Sequence, residues 1–140
     1  MTDLNRIATA PESLTLSGVP EGYDALVFCD AARISGGINL FIASDEARAL
    51  AFAEACAFFS PDIKRMRLPA WDCQPYDRIS PSPRTAARRA GALHRLANWD
   101  ARRDGTLIVI ATVNGVLQRV APRSVMQAAG ISAKQGGVVE

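Results

Sequence analysis

The chain has 140 residues, enough for one domain with a core of its own, and 49% of them are apolar. That composition, with no run near the roughly 18 apolar residues of a spanning helix, excludes a disordered tail and a membrane-spanning segment. The formal net charge of +2 selects no class of partner. Its distribution is more informative: Arg78, Arg84, Arg88, Arg89, Arg95, Arg102 and Arg103 fall in one stretch, against Asp100 alone.

The N-terminal stretch MTDLNRIATAPESLTL has no basic start followed by an apolar run, so no export signal is visible and a cytoplasmic address is expected. Residues 1–17 read as an arm. PEGYDALVFCDAARIS, residues 20–35, predicts a helix with Pro20 and Glu21 in its first turn and Gly36-Gly37 as its stop. INLFIAS, 38–44, predicts a buried strand. Ser44 is expected to cap the next helix, with Asp45 and Glu46 in its first turn. That helix runs to about Phe59, with Phe52, Cys56 and Phe59 on one face, and Pro61 ends it. IKRMRL, 63–68, alternates apolar and basic and predicts a strand with one solvated side.

An irregular segment follows, LPAWDCQPYDRISPSP, residues 68–83, holding a Trp, a Tyr, a Cys and four prolines. RTAARRAGALHRLANW, 84–99, predicts a helix with Ala86, Ala90, Leu93 and Ala97 inward and Arg84, Arg88 and Arg95 outward. TLIVIAT, 106–112, is an uninterrupted β-branched run, the mark of a strand covered on both faces. VNGVLQRV predicts a short helix ending before Pro122. This alternation argues for a three-layer α/β domain around a small parallel sheet, over residues 18–129. Residues 130–140, with a turn at Gly136-Gly137, read as the start of a following small domain that is cut short.

The residues offer little catalytic chemistry. Cys29, Cys56 and Cys73 match no zinc spacing, and Cys29 and Cys56 read as small core residues. The one histidine, His94, supports neither a zinc site nor a Ser/His/Asp set. Asp72 and Asp77 form the one available carboxylate pair and read as loop-ordering groups. SGVPEGYDALVF invites comparison with a phosphate-binding loop, G-x-x-x-x-G-K-[ST]. Gly18 and Gly22 have a suggestive spacing, but Tyr23 and Asp24 stand where Lys and Ser/Thr are needed. Glu21 and Asp24 would repel a polyphosphate, so no catalytic, cofactor or metal site is expected here.

Trp71 to Pro81, followed by RTAARRAGAL, resembles the W-[DE]-x-x-P-Y-D-x-x-S-P segment of the bacterial transcription-repair coupling factors, a family of multidomain DNA translocases. GVPEGYDALVF, AFFSPD and GTLIVIATVNGVLQRVAP fit the same order, and the resemblance covers roughly residues 18 to 125. In that family this region is similar to domain 1a of the excinuclease B protein, where a true phosphate loop and a DNA-gripping hairpin occupy the corresponding places.

The resemblance implies a degenerate phosphate loop at Gly18, Gly22, Tyr23 and Asp24, and a structural connector pinned by Trp71, Tyr76 and Asp77. It implies a non-catalytic segment, acting as scaffold and adaptor, in a protein that displaces stalled RNA polymerase and recruits the excinuclease A protein for nucleotide excision repair. ATP, magnesium, DNA and RNA polymerase would then be bound by other domains, and this segment would pack on the remainder of its own chain. The alternative expectation is a nucleic-acid-binding module using Arg84, Arg88, Arg89 and Arg95 on one helix.

Overall fold

A computed structural model describes residues 4–10, 12–73 and 78–128. Among them the chain forms seven helices and three strands. The order is α1 (Leu4–Thr9), α2 (Tyr23–Ser35), β1 (Ile38–Ala43), α3 (Glu46–Phe59), β2 (Lys64–Leu68), α4 (Pro83–Ala97), α5 (Ala101–Asp104), β3 (Leu107–Thr112), α6 (Val113–Leu117) and α7 (Arg123–Ala128). The strands form one open parallel sheet in the order β1-β3-β2. No helix among the described residues is long and apolar enough to cross a membrane.

β3 is central because its sequence allows nothing else. All six of its residues are buried. Alternate side chains of a strand point to opposite faces, so β3 divides its apolar residues between two cores. Ile108 and Ile110 join Ala25, Cys29, Phe52 and Cys56 under α2 and α3. Leu107, Val109 and Ala111 join Met66, Leu68, Ala92 and Trp99 under α4. The expected three layers therefore stand, with a helical layer on each side of a small sheet.

The edge strands differ from expectation. The apolar run of β1 predicts burial, yet Ile38, Leu40 and Ile42 are 49%, 47% and 49% exposed. They pair in register with Leu107, Val109 and Ala111, so they share the α4 face of the sheet. That layer covers β3 and β2 and leaves β1 half-exposed. An apolar run has the same appearance whether or not a helix happens to lie over it. β2 has Met66 and Leu68 buried as expected, but its other side is not simply solvated. Arg65 is half-buried there and donates to the carbonyls of Ser60 at 2.7 Å and Ile63 at 3.0 Å.

Helix ends also move. α2 starts at Tyr23, leaving Pro20 and Glu21 in the turn before it. Asp45, not Ser44, caps α3: its carboxylate accepts the Arg48 N–H at 2.8 Å, and the Ser44 hydroxyl donates to the same carboxylate. The carboxylate is the stronger acceptor for an orphan N–H. Phe59 is exposed, because the chain turns at Ser60, which is itself buried. Cys29 and Cys56 are core residues as expected, and a hydrogen bond to Cys29, with burial behind it, raises the Cys56 thiol above its ordinary value. α1, inside the expected arm, packs against α2, and α5 is an element that the sequence pattern does not predict.

Several carboxylates are held as anions by the fold. Arg103 and the Asp100 N–H lower Asp104 to about 2. The Arg48 N–H lowers Asp45, Arg33 lowers Asp62, and Ser82 with Thr85 lowers Asp72. A carboxylate whose pKa is depressed on folding stabilises the fold above its unfolded value of about 3.9, and that contribution is lost as pH falls through the folded value. The melting temperature should therefore fall between about pH 4 and pH 2. Asp104→Asn should start lower at pH 5 and fall less steeply. Parallel melting curves for the two proteins across this range would refute the assignment.

Candidate functional site

Three places collect the residues that the sequence singles out. The first is the turn from Gly18 to Asp24. Gly18 and Gly22 have φ of 72° and 89°, the left-handed region that favours glycine, so the turn does expose backbone N–H groups. Those groups already have an anion. Asp24 Oδ1 accepts from the N–H of Gly22 at 3.0 Å and of Ala25 at 2.9 Å. Its Oδ2 pairs with Arg48, whose guanidinium also approaches Glu21 at 3.8 Å.

Arg48 is placed by the core. Its guanidinium lies 5.6 Å and 5.8 Å from the ring centres of Phe41 and Phe52, within cation–π range. The turn is a small anion nest filled by the chain's own carboxylate and neutralised by its own arginine. The ring of Tyr23 is half-exposed beside it. Among the described residues no group of three His, Cys, Asp or Glu is placed to hold a metal ion.

The second place is the loop between β2 and α4. Tyr76 and Asp77 lie outside the described residues. At the two ends of the loop, Asp72 accepts from the Ser82 N–H and the Thr85 hydroxyl, both at 3.0 Å. Asp72 thus joins the two described ends of the loop. Ser82 caps α4 and Pro83 takes its first turn, where a missing N–H costs nothing. Trp71 is half-buried, and its backbone N–H donates to the Gln118 side chain at 2.8 Å.

Arg89 overturns the expected helix face. The sequence pattern groups it with the outward arginines, yet it is fully buried, and Ala90, expected inward, is exposed. The buried row of α4 runs Arg89, Ala92, Ala97, with Leu93 and Leu96 partly covered, a face rotated by about one residue. Arg89 is tolerated inside because it joins three segments. It donates to the Pro69 carbonyl at 2.6 Å and the Gly115 carbonyl at 3.1 Å, and its guanidinium lies 5.3 Å from the Trp71 ring centre. Its Nε has no partner among the described residues, and burial lowers its pKa.

Gly115 makes this junction possible. A Cβ there would stand 3.3 Å from the Leu68 carbonyl, a tight contact that only a small shift between α6 and the end of β2 would relieve. The Thr112 hydroxyl accepts the Gly115 N–H at 3.2 Å and fixes that approach.

The third place is the open edge of β2. Arg84, Arg88 and Arg95 are exposed on α4, as expected. Arg88 and Arg95 line a groove of about 540 Å³ together with Arg67, a grouping that the sequence alone does not suggest. A signal is present in the alternation of IKRMRL, but only the sheet order shows that β2 is an edge lying beside α4.

Compared with protein-family models, with curated proteins and with solved structures, the chain matches none. The site is therefore read from its own geometry.

Arg89→Ala would leave two backbone carbonyls without their charged donor and a void beside Trp71. A loss of about 3 kcal/mol is expected, since hydrogen bonds to charged groups contribute about 1.5–3 kcal/mol each. Arg89→Lys should recover only part of it, because an ammonium cannot reproduce the planar fork. Urea denaturation of the three proteins checks this ranking. A wild-type midpoint in the alanine variant would contradict the bridging role.

Proposed function

We propose that this chain is the non-catalytic front region of a transcription-repair coupling factor. In this reading it is an α/β domain like the first domain of the excinuclease B protein, and it carries and orients the adaptor surface for the excinuclease A protein. It packs on the remainder of its own chain, while ATP-driven translocation and polymerase contact belong to other domains. The family assignment rests on the pattern W-D-x-x-P-Y-D-x-x-S-P from Trp71 to Pro81.

The observation that carries a docking role is the bare face of β1. Ile38, Leu40 and Ile42 form an aligned apolar row that continues the buried row Leu107, Val109 and Ala111. Single exposed apolar residues are ordinary; a row contiguous with a core marks a surface made to be covered. The non-catalytic half of the reading is supported by the nest at Gly18–Asp24, whose N–H donors face Asp24 and whose cation, Arg48, is already paired. A polyphosphate would have to displace a bonded carboxylate there and then meet its charge.

Residues 1–140 should show no saturable binding of magnesium–ATP by titration calorimetry. In the protein translated from the full reading frame, Leu40→Glu should speed tryptic cleavage between domains. It should also weaken capture of the excinuclease A protein at least about tenfold, about 1.4 kcal/mol. The substituted side chain is half-exposed, so the domain itself should melt as before. Saturable nucleotide binding, or unchanged capture and cleavage, would sink the reading.

A further inference from the structure

We propose that the open edge of β2 is a track for the sugar-phosphate backbone of duplex nucleic acid. This inference rests on a different surface from the docking face and does not depend on the family reading.

Two grooves meet along this edge. In the first, of about 540 Å³, Arg67 stands on the strand side and Arg88 and Arg95 on the helix side. The second, of about 330 Å³, shares Arg95 and adds Lys64 and Arg103. The shared arginine makes them one basic strip. Arg88 and Arg95 are seven residues apart on α4, about 10 Å along its axis. Lys64 leaves β2 on the α4 face, whereas Arg67, three residues on, leaves the opposite face and reaches the groove from the edge, paired with Glu46 of α3. Arg88 and Arg95 are therefore the row of cations along the strip, with Lys64 across from the Arg95 end. That row covers about three nucleotides of one strand, at about 3.4 Å of axis per charge. Gly91, between Arg88 and Arg95, has open space where a Cβ would stand, so the helix side of the groove is not obstructed there.

The carboxylates on the strip do not cancel it. Glu46 pairs with Arg67, and Asp104 pairs with Arg103. Arg88 and Arg95 form no ion pair with a carboxylate among the described residues. Lys64 donates to the Asp104 backbone carbonyl and lies near enough to the Asp104 carboxylate to help lower it, while that carboxylate's ion pair is with Arg103. His94 and Asn98, also on the strip, bring no carboxylate to it, and their side chains bond to the Met126 carbonyl and to the backbone of α4.

The occupant follows from what the strip lacks. A protein partner needs apolar anchors at the centre of its contact. Here Met66, Ala92 and Trp99 are all buried, and the exposed apolar residues lie elsewhere. A single strand is held chiefly by bases stacked on aromatic rings. Of the two rings lining the strip, Trp99 is 8% exposed, with Arg95 and Lys64 5.6 Å and 5.2 Å from its centre, and His94 is partly buried with a ring nitrogen held at the Met126 carbonyl. What remains is phosphate contact without base readout, which positions a duplex and carries no sequence preference.

The test is fluorescence anisotropy of a labelled duplex of mixed sequence with the 140-residue chain, from low to moderate salt. Three contacts, from Lys64, Arg88 and Arg95, give an expected slope of log affinity against log salt of about −2.7. Arg88→Gln with Arg95→Gln should make the slope shallower by about 1.8 and lower affinity at least about tenfold at low salt. Both side chains are exposed, and circular dichroism checks that the fold persists. Arg119→Gln, which removes a positive charge away from the strip, should have little effect. The proposal is overturned by absent salt-sensitive binding, or by a loss in the double variant no greater than two such distant substitutions produce. Tighter binding of the single strand, or equal binding of poly-glutamate, overturns it as well.

Discussion

The structure depends on one strand that has no polar side. β3 is buried along its whole length, and it carries large side chains toward both faces of the sheet. A strand of that kind must have a neighbour on each edge and a helical layer on each face. β1 and β2 supply the neighbours, α2 with α3 one layer and α4 the other. The helices do not surround the sheet evenly. α4 lies over β2 and β3, and the face of β1 on that side stays open. The bare apolar row and the basic strip thus lie at opposite edges of the same sheet, each the product of where one helix is placed.

Arg89 shows how a charge can belong to a core. A buried cation is costly unless its donors are used, and here two backbone carbonyls and an aromatic face receive it. Those acceptors are the end of β2, the start of the irregular loop and the turn of α6. None of the three has a regular ladder of its own at that point. The guanidinium therefore fixes where the chain leaves β2, and Asp72 ties that end of the loop to the start of α4.

What the sequence reveals follows from how local each cause is. β3 is legible as a strand from its apolar, largely β-branched run, and α3 because its acid cap and terminating Pro61 are local chemistry. The exposure of Ile38, Leu40 and Ile42 is not legible, since it depends on which strand α4 covers. Arg89 is misplaced by the sound rule that arginines face water, and its acceptors at Pro69 and Gly115 are 20 and 26 residues away. α1 and α5 are too short to display a helical period. The turn from Gly18 to Asp24 is legible as lacking a Lys, but its internal pairing is not, because Arg48 reaches Asp24 from the next helix.

The two outer edges of the sheet, unpaired among the described residues, also differ in what they permit. The β2 edge carries Lys64 and Arg67, and like charges discourage another strand from pairing there. The β1 edge has no such guard, and its side chains offer an apolar surface to whatever pairs with it. The sheet is therefore a structure with a direction of growth. A fourth strand, from this chain or another, has one favourable place to join, and would extend the core across the row that α4 leaves bare.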